Sequence, residues 1–213
     1  MEKQTASGYP LFPLGIVALP SEGVPLHIFE DRYRRMIEGC LEATPGTLER
    51  SFGILWLSDD ELKPVGCTCE VEQVLERTPD GRLNILARGQ LPFRLLERQD
   101  DLPYPAGVVE FLQDDDEEGQ PELAQSAREL YRELVRQATD REIGPEELGE
   151  MSAYRMAATV EFETQAKQEL LELRSEDARM RQLALLLESA IERLELLERA
   201  QARARSNGKV RFA

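Results

Sequence analysis

The chain has 213 residues, 41% of them apolar and 31% charged, the balance of an ordinary folded protein and not of a disordered one. Its 41 acidic and 26 basic residues leave a net charge of −15, a surface that repels phosphate backbones and argues against nucleic acid as a partner. No apolar run approaches the ~18 residues of a membrane-crossing helix, and the opening MEKQTASGYP lacks the charged-then-apolar pattern of a secretion signal, so a cytoplasmic protein is expected.

From Tyr9 to Leu112 the chain reads as strands and turns. LFPLGIVALP is apolar, punctuated by Pro13, Gly15 and Pro20. In GVPLHIFEDRY, alternation sets Leu26 and Ile28 on one face of a strand and His27 with Phe29 on the other. His27 is the one histidine of the chain; an imidazole there is expected to donate to a backbone carbonyl where strand meets helix. The helix runs from Asp31 to Ala43, with Tyr33, Met36, Ile37, Cys40 and Leu41 at helical spacing, and Gly46 after Pro45 ends it.

SFGILWLS follows as a short buried strand. Its Trp56 is either a core anchor or a binding hot spot, and the apolar run around it favours core. VGCTCEVEQVLER alternates, with Val65, Cys67, Cys69 and Val71 on one face and Thr68, Glu70 and Glu72 on the other. TPDGRLNILARG supplies a turn and a second run, Leu83, Ile85 and Ala87, so the two runs predict a hairpin around Asp80-Gly81. LPFRLLER and AGVVEFLQ add two more strands.

QDDDEEGQP, with five acidic residues from Asp114 to Glu118, reads as an exposed connection. Beyond Pro121 the period becomes helical. Leu123, Ala127, Leu130, Tyr131, Leu134 and Val135 form one stripe. GPEELGEMSAYRMAATV reads as a second helix, with Pro145 in its first turn, and QAKQELLEL as a third. A last helix from Glu176 to Arg205 would be about 45 Å long. Met180, Leu183, Leu187, Ala190, Leu194 and Leu197 follow a coiled-coil spacing, but Leu185, Leu186, Ile191 and Leu196 widen the stripe and favour packing in a bundle. RARSNGKVRFA ends the chain as a basic tail.

Little of this is catalytic chemistry. There is no Gly-rich phosphate loop, no Gly-x-Ser-x-Gly elbow, and a single histidine for base catalysis. The Cys-Thr-Cys step, with Cys40 and His27, leaves a metal site open, but small core residues are the expected role of these thiols.

The ordered series Phe12-Pro13-Leu14, Pro25 to Glu30, Arg32-Tyr33, Phe52, the Val-Gly hairpin with its Asp-Gly turn, Gly89, Phe93-Arg94 and Ala166 to Glu172 resembles the Lon protease N-terminal (Lon substrate-binding) domain. Asp31 departs from the proline that this family often has there. The resemblance implies an α+β fold, a PUA-like β-pseudobarrel followed by a C-terminal helical bundle with a long last helix. The expected domains are a barrel over 1–112, an acidic linker over 113–121 and a helical bundle over 122–213 with its basic tail. It further implies a non-catalytic, stand-alone bacterial protein- or peptide-binding module, lacking the ATPase and protease domains, with no cofactor and no metal. Expected partners are unfolded or apolar protein segments and, through them, a protease or chaperone system, with no nucleic acid and no membrane. The chain itself is expected as a monomer or a weak homodimer through the C-terminal helix. Trp56 is the one nominated peptide-binding residue. Two alternatives stand beside this reading. One is a small-ligand sensor with a barrel–bundle pocket; the other is an RNA-binding PUA-like protein, which a net charge of −7 over residues 1–112 disfavours.

Overall fold

The computed structural model describes residues 4–115, 119–139 and 141–207. The chain divides into two compact units, Met1–Asp116 with Tyr154–Ser175, and Glu117–Ala153 with Glu176–Ala213.

The first unit is built on six strands: β1 (Thr5–Leu14), β2 (Gly23–Ile28), β3 (Ser51–Ser58), β4 (Glu61–Arg77), β5 (Leu83–Gln99) and β6 (Ala106–Phe111). β1 and β3 run parallel, with Phe12 opposite Ile54. A parallel pair needs a long crossover, and β2 with helix α1 (Asp31–Glu42) supplies it. All other pairings are antiparallel, in the order β2-β5-β4-β3-β1-β6. β5 is long enough to pair with β2 over its first half and with β6 over its second. Because β6 also pairs with β1, five strands close into a barrel, the expected pseudobarrel. Closure removes edges that would otherwise template aggregation. β2, left outside the ring, carries Pro25, which weakens its free edge as a pairing site.

Tyr9, Leu11, Leu55, Phe93 and Val109 form one core cluster of this unit. Two glycines make room for the Phe93 ring. A Cβ at Gly53 would lie 2.4 Å from a Phe93 ring carbon, and one at Gly66 2.3 Å from the Ile54 carbonyl oxygen. α1 buries Tyr33, Met36, Ile37 and Cys40, the face its spacing predicts. Its Tyr33 ring packs on Phe12, centroids 4.1 Å apart.

Cys40, Cys67 and Cys69 are free and buried, as expected of small core residues. Thr68 differs from expectation. Alternation placed it outward, yet it is 4% exposed and its hydroxyl accepts the Leu91 N–H at 3.0 Å. The cause is a bulge in β5. Cys67 pairs with Pro92 and Cys69 with Gly89, so one extra residue of β5 leaves its amide outside the ladder, and Thr68 satisfies it. The turn expected at Asp80-Gly81 forms, with Gly81 at φ 84 and Thr78 N–H bonded to the Arg82 carbonyl.

Helices α4 (Ala153–Ala157) and α5 (Thr164–Glu172) complete the first unit, apart from Ala153. α5 is anchored by polar contacts. Lys167 Nζ lies 2.6 Å from Glu22, whose other oxygen accepts the Leu19 N–H at 2.9 Å. Next to it, Gln168 donates to the Val65 carbonyl at 3.1 Å.

In the second unit α2 (Pro121–Ala138) packs on α6 (Glu176–Asn207), with Ala127, Tyr131 and Leu134 buried on one helix and Met180, Leu183 and Leu187 on the other. The coiled-coil spacing is thus covered over its first half by packing inside the unit, while Leu196 and Leu197 are 63% and 55% exposed. The segment read as one helix from Pro145 is two, α3 (Pro145–Gly149) and α4. Gly149, a poor helix former, ends α3, and Met151 N–H closes a tight turn onto Leu148. The acidic residues Asp116 to Glu118 and the tail from Gly208 lie outside the described residues. No helix among the described residues is long and apolar enough to cross a membrane.

Candidate functional site

Several elements of the first unit end at one place. The last residues of β1, the end of β2, the first turn of α1, the β3–β4 hairpin and the end of β5 line a cleft of about 460 Å³. Its floor is apolar and buried: Phe12 is 5% exposed, Ile28 1% and Tyr33 6%. Two apolar side chains at its rim are left to solvent, Phe29 at 58% and Leu57 at 40%. Phe29 is exposed for a local reason. It follows the last residue of β2, stacks on the outward-facing His27, and is carried past the sheet by the turn into α1.

The hairpin that brings Leu57 and Leu62 to the cleft turns on Asp59 and Asp60, both left-handed, at φ 47 and 67. Two consecutive residues of that conformation match the twist of a two-residue hairpin, and aspartate tolerates it better than most side chains. Nothing in the alternation of the strands pointed to this turn.

Charge is distributed around the apolar floor. Arg32 lies 2.9 Å from Glu30 and places its guanidinium over the Tyr33 ring, 4.6 Å from the centroid. Asp60 and Arg98 complete the charged lining.

The structure corrects the expectation for His27. Its Nδ1 meets the side-chain oxygen of Asn84 at 2.6 Å, and no backbone carbonyl is involved in that bond. His27 and Asn84 stand opposite each other across β2 and β5. The Asn84 amide nitrogen donates to Glu76 at 2.8 Å, so its oxygen is the acceptor toward His27. Nδ1 is therefore the donor in the bond to Asn84. The ring stacks on Phe29, centroids 5.7 Å apart. The imidazole is thus held by an amide on one side and a ring on the other, an arrangement that fixes its orientation.

Trp56, the residue nominated from the sequence, is half-buried, facing the irregularity of β4 between Leu62 and Gly66 and opposite Leu14 of β1, and does not line this cleft. Phe29 and Leu57 were not singled out. The available signal for Phe29 was a bulky apolar side chain on the polar face of its strand. A second cleft, about 430 Å³, is lined by Leu48, Leu91 and Phe111 among hydroxyl and amide side chains. Among the described residues no three His, Cys, Asp or Glu side chains converge as metal ligands would. With aromatic and aliphatic floor, exposed apolar rim and a few charged groups, the first cleft has the make-up of a recognition surface.

Comparison with known proteins identifies the family and the fold. Residues 8–189 match the family of the ATP-dependent protease La (LON) substrate-binding domain. The chain is 26% identical over 199 residues to Lon protease 2 of Herpetosiphon aurantiacus, covering 88% of this chain and 24% of that protein. Among solved structures it is similar to a Lon N-terminal domain protein from Xanthomonas campestris, with a TM-score of 0.62 and 25% identity, covering 84% of this chain and 96% of that one. It has the same fold as the N-terminal domain of a Mycobacterium avium complex Lon protease, with a TM-score of 0.60 and 19% identity, covering 87% and 98%.

Proposed function

The chain belongs to the ATP-dependent protease La (LON) substrate-binding domain family, and on that premise we propose that it is a non-catalytic module that binds apolar segments of other proteins in the cleft between β1, β2, α1 and the β3–β4 hairpin. The observation that carries the reading is the pair Phe29 and Leu57, bulky side chains held in solvent beside a buried aromatic floor. Exposed apolar surface rimmed by charge is costly unless something covers it. An unfolded segment offers such cover, because its own apolar side chains are not yet buried.

The function is recognition alone, with any processing of the bound protein left to a partner protease or chaperone system. A peptide array should show preference for segments rich in Leu, Phe and Val, and reduced capture when Phe29 is replaced by serine. An array with no apolar preference overturns the proposal. The cleft volume of about 460 Å³ also suits a small molecule. Thermal shifts with a metabolite panel separate the two readings, since a preformed small-ligand site would raise the Tm with a defined compound and no peptide.

A further inference from the structure

Within the reading that a protein segment docks in this cleft, the charges of its lining narrow which segment. Four charged side chains line it, Glu30, Arg32, Asp60 and Arg98. Arg32 is already answered by Glu30 at 2.9 Å and by the Tyr33 ring. Arg98 stands opposite Gly107 in the β5–β6 pairing, so no side chain faces it across the ladder. It has neither an ion pair nor a hydrogen bond among the described residues.

Three kinds of apolar segment would meet this lining differently. A fully neutral one covers Arg98 and removes water from its guanidinium without replacing it. A run of acidic residues meets Glu30 and Asp60, in a chain whose net charge is already −15. A segment with one negative charge, placed directly at the end of apolar residues, answers Arg98 and nothing else. The free C-terminus of a polypeptide has that form. Its planar carboxylate matches the guanidinium fork with two parallel hydrogen bonds.

We propose that the cleft receives the C-terminal end of a partner polypeptide, its last apolar side chains on Phe12, Ile28, Phe29 and Leu57 and its α-carboxylate on Arg98. Recognition of this kind reads the end of a chain and not its interior, so folded proteins with buried or polar C-termini are passed over.

The test uses a fluorescein-labelled peptide ending in Leu-Phe-Ala-Leu as the free acid, and the same peptide as its C-terminal amide, titrated with the full chain by fluorescence anisotropy. The free acid should bind roughly tenfold more tightly than the amide, a charge-assisted bond's worth. Arg98 is exposed, so Arg98→Gln should keep the wild-type Tm and bind acid and amide alike, at the wild-type affinity for the amide. Equal binding of acid and amide by the wild type overturns the carboxylate and leaves the cleft reading standing. Failure of both peptides overturns both. An acid preference that persists in Arg98→Gln removes Arg98 from the site. An amidated peptide with an internal aspartate after the same residues, binding as tightly as the free acid, overturns the assignment to a chain end.

Discussion

Burial pushes the Cys40 thiol from its ordinary value of 9.0 up to about 11. The Tyr9 phenol is likewise raised by burial, and Cys69 is raised by its hydrogen bond with Cys67 and by burial. The three stay neutral in the folded core at pH values where the unfolded chain ionises. Below about pH 9 both states hold the Cys40 proton and its contribution is fully present. Between about 9 and 11 the unfolded state loses that proton first, and stability falls. The Cys40 share of this loss is about 2–3 kcal/mol. Melting curves followed by circular dichroism should show the Tm dropping over that interval, less steeply in Cys40→Ala, and a Tm constant to pH 11 contradicts the account. Ser51 donates to the Leu48 carbonyl at 2.8 Å, which leaves Tyr9 as the donor in the Tyr9–Ser51 bond. That network joins positions 42 residues apart, so only the thiols' burial was legible in the sequence.

Elements that carry their own periodicity were legible, and those set by distant partners were not. α1 and the β4–β5 hairpin follow from helical spacing, alternation and a turn at Asp80-Gly81. The burial of Thr68 depends on a bulge in the neighbouring strand, whereas the break at Gly149 and the Asp59-Asp60 turn are local signals that apolar periodicity does not carry. α5 depends on a distant partner, since it is tied down through Glu22, 145 residues away. Lys167→Ala would leave a largely buried carboxylate without its cation and should cost about 1–3 kcal/mol in chemical denaturation. Gly66→Ala would drive a methyl into the Ile54 carbonyl and the Phe93 ring and should cost at least about 2 kcal/mol. A wild-type midpoint in either variant would show that the packing described for it does not hold the fold.

At the scale of the molecule, the family and the barrel were legible because the motifs of the first half occur in a fixed order, from Phe12-Pro13-Leu14 to Phe93-Arg94. The proposed binding surface was not. It is assembled from side chains of six elements that no local pattern connects, so the sequence nominated Trp56 while the geometry nominates Phe29 and Leu57. The proposed role of this cleft is to bind unfolded protein. Phe29 and Leu57 are exposed enough that removing them should change Tm little, whereas their loss should empty the docking surface. The direct measurement is the anisotropy of a fluorescently labelled, reduced and carboxymethylated protein, titrated with the wild-type chain and with the double variant Phe29→Ser, Leu57→Ser. The wild type should bind saturably, and the double variant at least about tenfold more weakly at unchanged Tm. Equal affinities for the two, or no binding by the wild type, would contradict the proposed role.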